Sequence, residues 1–110
     1  MVIGVAGPYS APTEEGRKQH LDALNNAAAR LLEMGHIPLI GVNAAVPIIE
    51  KANVANPYKA IMDISIAVID RCEALLIIGH SAGADKEMDF VLFKGLPVYH
   101  SLDEVPDSSL

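Results

Sequence analysis

The chain has 110 residues, just over half of them hydrophobic, and its fourteen acidic against eight basic side chains give a net charge of −6. That length holds one domain with a real core and not two, so residues 1–110 are read as a single domain. The acidic balance argues against a nucleic-acid polymer as partner, since sequence-independent binding needs a basic surface to displace counterions. It leaves room for one small anionic ligand held by backbone amides.

Cys72 is the single cysteine, so no disulfide forms within the chain, and no Cys/His spacing suggests a metal site. Neither metal nor cofactor is expected. No segment has the apolar length of a membrane span. The N-terminus opens on a strand-like run without a basic leader, so a cytoplasmic protein is expected.

Val2 to Ala6 is a short apolar run, read as strand one, followed by a loop with two prolines, Pro8 and Pro12. Thr13 followed by Glu14 and Glu15 forms an N-cap with acids in the first turn. Leu21, Leu24, Ala28, Leu31 and Leu32 recur at three- and four-residue steps, one stripe facing a core, and Gly35 ends the helix. His36 to Val42 reads as strand two. Pro38 inside it has no N–H to give, which puts this strand at a sheet edge.

Asn43 to Asn56 reads as a short helix or covering loop. Asn56-Pro57 is an N-cap with proline at the first helical position. The helix from Pro57 to about Cys72 is apolar round more than half its circumference, a width that predicts cover by more than its own sheet, from a second subunit. Ala74 to Gly79 is a continuous apolar run ending in glycine, read as a strand buried on both faces. A helix from about Gly83 to Lys94 follows, then Leu96 to His100 as strand four. The polar tail from Ser101 to Leu110 closes the surface.

Strands alternating with helices predict an α/β fold: a small parallel sheet with helices on both faces, a Rossmann- or flavodoxin-like three-layer sandwich. In a 2-1-3-4 strand order the switch point lies between strands one and three, and ligands bind there, at the carboxyl ends of the strands. Two loops meet at that point: Gly7-Pro8-Tyr9-Ser10, and Gly79 to Gly83 with His80 and Ser81 in it. The second is also the turn into a helix, whose N–H groups and dipole favour an anion. Topology and electrostatics select the same place.

Ala6-Gly7-Pro8-Tyr9-Ser10, Leu32-Glu33-Met34-Gly35-His36, and Ser81-x-Gly83-x-x-x-Glu87 ahead of Gly95-Leu96-Pro97-Val98 together resemble the nucleoside 2-deoxyribosyltransferase-like superfamily. The likeness runs from about Val2 to Pro106 and is greatest, in length, to short members of unknown function, related to 2′-deoxynucleoside 5′-phosphate N-hydrolases. The resemblance implies cleavage or transfer at the N-glycosidic bond of a (deoxy)nucleoside or its 5′-monophosphate, with a 2-deoxyribosyl group hydrolysed or transferred. It implies Glu87 as the nucleophile that attacks the anomeric carbon and forms a glycosyl-enzyme intermediate. Ser81 and Gly83 would hold the phosphate or sugar, and Tyr9 with Gly7, Pro8 and Ser10 would line the sugar and base pocket, beside His80. Asp63 is the nearest match to an aspartate that serves the base, two residues further from Glu73 than the resemblance requires. It also implies a homodimer, since family members complete their sites across subunits.

Glycosidic cleavage passes through an oxocarbenium-like state, which two carboxyl groups with opposite tasks suit. As nucleophile Glu87 must be ionised, a form that a helix N-terminus favours. Each residue also has a plainer role. Glu87 and Asp85 are ordinary dipole partners, Asp63 shares a solvated face with Lys59 and Asp70, and Ser81 is a helix cap. Gly83 serves for its backbone angles, Tyr9 packs over the sheet end, and Arg17 and Lys18 carry charge into water or reach a phosphate. The alternative function is a non-catalytic nucleotide-metabolite binder, and a third is an interaction module. No GxGxxG or GxxxxGK[ST] occurs, which argues against dinucleotide and triphosphate sites of those kinds.

Overall fold

The computed structural model describes residues 1–108. Its elements are β1 (Val2–Ala6), α1 (Glu14–Glu33), β2 (Ile37–Leu39), α2 (Gly41–Lys51), α3 (Pro57–Ile69), β3 (Ala74–Ile77), α4 (Ala82–Phe93) and β4 (Val98–Tyr99), with a 3₁₀ turn at Leu102–Glu104. All strand pairs are parallel, in the order β2-β1-β3-β4. This is the α/β architecture and strand order that the alternation of apolar runs predicts.

Strand alternation divides the core in two. Ile3, Val5, Ala74 and Leu76 point to one face and pack with Leu24, Ala28 and Leu31 of α1. Ala6, Leu75 and Ile77 point to the other, with Ile69 of α3 and Ala84 and Val91 of α4. The chain therefore leaves β1 over one face through α1 and returns to β3 over the other through α3. That reversal puts the switch point between β1 and β3.

Local signals act where the sequence puts them. Thr13 Oγ1 accepts from Gly16 N–H at 3.0 Å, Asn56 Oδ1 from Lys59 N–H at 3.1 Å, and Ser81 Oγ from Ala84 N–H at 3.1 Å. Gly35 ends α1 at φ 91° and Gly95 follows α4 at φ 76°, the left-handed region that favours glycine. Pro38 lies on β2, an edge strand.

Several boundaries differ from the sequence expectations, and β4 is only Val98–Tyr99 within the expected Leu96 to His100. β2 stops at Leu39, because Ile40 caps a helix that begins at Gly41. Asn43 to Asn56 is mostly that helix, α2, and it carries Pro47 in its interior, where proline leaves the carbonyl four residues back without its helical partner. β3 ends at Ile77 and α3 at Ile69.

The cover on α3 comes from the same chain: α2 packs along it, so its wide apolar face does not require a second subunit. The contact is close at one point. A Cβ on Gly41 would lie 2.8 Å from Ser65 Cα and 2.7 Å from Ser65 Cβ, so only glycine lets the two helices approach this far.

The tail, expected only to close the surface, is anchored to α1 and the residues that follow it. Val105 is buried, Ser108 N–H donates to Met34 O at 2.8 Å, and the buried His36 donates through Nε2 to Pro106 O. Ser109 and Leu110, the end of the predicted tail, lie outside the described residues. Among the described residues no helix is long and apolar enough to cross a membrane.

Candidate functional site

The loops after β1 and β3 touch. A Cβ on Gly7 would lie 2.7 Å from Ile78 Cγ1, and one on Gly79 would lie 3.1 Å from Pro8 Cδ. Gly7 is thus needed for the close approach of the two loops, while a side chain at Gly79 would fit only tightly against Pro8. The first loop is tied down from α1: His20 Nδ1 bonds the Tyr9 carbonyl at 2.9 Å, and Arg17 Nη1 donates to Ala11 O at 3.1 Å. Arg17 therefore buttresses the loop. Its part in this fold is structural.

A cleft of about 220 Å³ opens beside these loops. Gly7, Pro8, Tyr9 and Ser10 form one wall, and Ser81, Gly83 and Glu87 of the cap and first turns of α4 form another. The third wall is α3, through Tyr58, Ile61, Met62 and Ser65, a stripe at helical spacing. Val42 of α2 completes it. Seven of the residues singled out from the sequence as substrate-binding or nucleophilic thus share one cleft: Gly7, Pro8, Tyr9, Ser10, Ser81, Gly83 and Glu87.

Glu87 is the chemical centre of the cleft. It is only 8% exposed, and its Oε2 is fully buried, with no hydrogen-bond partner among the described residues. Burial pushes its carboxyl up to about 7. The expectation that the helix dipole keeps it ionised fails on position. Glu87 is the sixth residue of α4, and the dipole's influence fades after the first turn, where Asp85 sits. A buried carboxyl with a raised pKa, in a cleft and without a hydrogen-bond partner among the described residues, makes Glu87 the candidate functional group of this site.

Two predicted site residues stand apart. Asp63 is exposed and bonds Lys59 Nζ at 2.7 Å, on a face of α3 that the Tyr58–Ser65 stripe does not share. The solvated ion pair that its spacing suggests is what forms. His80 is likewise exposed, with Nδ1 2.6 Å from Asp85 Oδ1, and it does not line the cleft. The turn before α4 carries its side chain outward while presenting Ser81 inward.

Sequence reasoning missed Tyr58, Ile61, Met62, Ser65 and Val42. The stripe of the first four was visible at three- and four-residue spacing, but it merged with the apolar face that α3 gives to the sheet. Val42 was assigned to a strand. Tyr58 also receives Lys86, whose Nζ lies 5.2 Å from its ring centroid.

Among the described residues, no three His, Cys, Asp or Glu side chains converge on a metal position. The cleft can hold a small molecule against aromatic and apolar walls, offer it hydroxyls and the N–H groups of a helix start, and set one carboxyl beside it. No curated protein matches the chain. Residues 2–102 match the model of a family described as Domain of unknown function (DUF1937), and the chain belongs to that family.

Proposed function

We propose that the cleft binds a nucleoside or its 5′-monophosphate and that Glu87 attacks the anomeric carbon, displacing the base to give a glycosyl-enzyme. Water then completes hydrolysis, or a second base completes transfer. The observation that carries this reading is the unpartnered, buried carboxyl of Glu87 on the wall of a ligand-sized cleft. Its surroundings support it: Tyr9 and Tyr58 suit stacking on a base, and the N-terminus of α4, capped by Ser81, suits an anionic sugar phosphate. The sequence likeness to the nucleoside 2-deoxyribosyltransferase-like proteins supports the same chemistry. The proposal includes a cytoplasmic setting and a homodimer.

In this scheme Glu87 acts ionised, and with a carboxyl held up to about 7 it is half ionised near neutral pH. Desolvation raises the energy of the carboxylate in the free protein, which favours an attack that spreads its charge. Ser81 and Gly83 hold the sugar or phosphate end, and the loop fixed by His20 and Arg17 holds the other.

A second reading, binding without turnover, is favoured by one observation: α3 turns Asp63 away from the cleft, so among the described residues no second carboxyl lines it. Free base is measured chromatographically after incubating the protein and Glu87→Gln with nucleosides and their 5′-monophosphates. Base released by the parent and lost in the variant supports the glycosidic reading. Thermal stabilisation by a nucleotide with no base released points to the binder, and silence in both measurements refutes both.

A further inference from the structure

Among the described residues, Glu87 is the one carboxylate that lines the cleft. An ordinary base leaves an N-glycoside with the bonding electron pair, and it departs readily only if a general acid protonates it. The acids near the cleft are engaged elsewhere. Asp63 bonds Lys59 on the outer side of α3, Asp85 bonds His80, and Asp89 is exposed and outside the cleft. His20 does not line the cleft, and its Nδ1 bonds the Tyr9 carbonyl. What α3 turns to the cleft is Ser65, 2% exposed, whose hydroxyl does not give up a proton near neutrality. The aromatic hydroxyls that line the cleft, on Tyr9 and Tyr58, are phenols, a chemical class that donates protons far less readily than carboxylic acids do. Glu87 cannot serve as well, because the oxygen that attacks must be ionised.

The cleft does have what a cation needs. Two aromatic side chains, Tyr9 and Tyr58, line it, and ring faces attract positive charge. Lys86 already takes up one such contact with Tyr58. A cationic ring beside Glu87 also favours the carboxylate over the acid, offsetting the burial that opposes its ionisation.

We infer that the substrates of this site are N-glycosides whose leaving group is already cationic, a pyridinium or an N-alkylated purinium, which departs as a neutral molecule without a proton. This rests on the glycosidic reading above. The step balances. A Glu87 carboxylate oxygen bonds to the anomeric carbon as the C–N bond breaks, and the electron pair passes to the ring nitrogen and cancels its charge. Water then bonds to the same carbon, the ester C–O bond breaks back to carboxylate, and one proton goes to solvent.

The test sets nicotinamide riboside, its 5′-monophosphate, 7-methylguanosine and 7-methyl-2′-deoxyguanosine against inosine, cytidine, their 2′-deoxy forms and the 5′-monophosphates of all four. Base release is followed chromatographically with Glu87→Gln in parallel, after subtracting the enzyme-free rate. The expected kcat/KM favours at least one cationic substrate by about 100-fold or more, the size of a typical general-acid contribution. Its pH profile rises through a single ionisation and shows no falling limb. Comparable, Glu87-dependent cleavage of the neutral nucleosides overturns this inference and leaves the glycosidic reading standing, as does a bell-shaped profile on the cationic ones. No cleavage in either set ends both.

Discussion

Glu87→Gln keeps the shape of the side chain and removes its ionisation, so it isolates the cost of the buried charge. Burial lifts this carboxyl from 4.5 to about 7. At about 1.4 kcal/mol per pKa unit, the ionised form is disfavoured in the fold by about 3 kcal/mol. The unfolded carboxyl loses its proton near 4.5, while the folded one keeps it up to about 7. Between those values the folded state holds the extra proton, so stability falls as pH rises through the window and levels off above it. Below the window both states are protonated and the cost is absent. The variant has no such window, and the other titrating groups are common to both proteins and cancel. Urea denaturation of parent and variant at steps from about pH 4 to pH 8.5 should show the stability difference moving by about 3 kcal/mol in favour of the variant. A constant offset from the amide's own hydrogen bonds drops out of that comparison. Parallel curves would refute the reasoning, because they would mean that water reaches Glu87 and solvates its charge in the fold.

Asp63→Asn breaks an exposed ion pair and should change stability by no more than about 0.5 kcal/mol, with ligand affinity and any base release unchanged; a loss of turnover with the fold intact would return Asp63 to the site. Gly41→Ala puts a methyl against the Ser65 backbone and should cost about 1–3 kcal/mol by thermal or urea unfolding; a neutral result would mean that α2 shifts freely along α3. Ser81→Ala removes the cap of α4 and should cost about 1 kcal/mol while weakening binding of phosphorylated ligands more than of their unphosphorylated forms, measured by calorimetry. Equal weakening of both would confine Ser81 to its capping role.

The strand order and two layers of helices were legible in the chain because each element carries its own local signal. The apolar runs from Val2 and from Ala74 alternate in partners, not in polarity, as strands buried on both faces do. Thr13, Asn56 and Ser81 cap where their hydroxyl or amide meets the next turn, which is a matter of neighbours three residues apart. Proximity of the Gly7 and Ser81 loops also followed from the sequence, since topology alone brings the ends of β1 and β3 together.

What the sequence did not decide was the direction of individual side chains and the price that burial sets on them. Asp63 and Ser65 are two residues apart on α3, and a rotation of about 200° separates their faces. Which of them meets the cleft depends on how α3 is turned by α2, and that is set by the bare backbone of Gly41 against Ser65. Glu87 reads as a helix-start acid until the walls from α3 and the β1 loop close over it, and only their shared exclusion of water makes it a carboxyl that titrates near neutrality. Local pattern determined the fold and the place of the candidate site. The tertiary packing decided its chemistry, because a carboxyl's ionisation is fixed by the water that its neighbours remove.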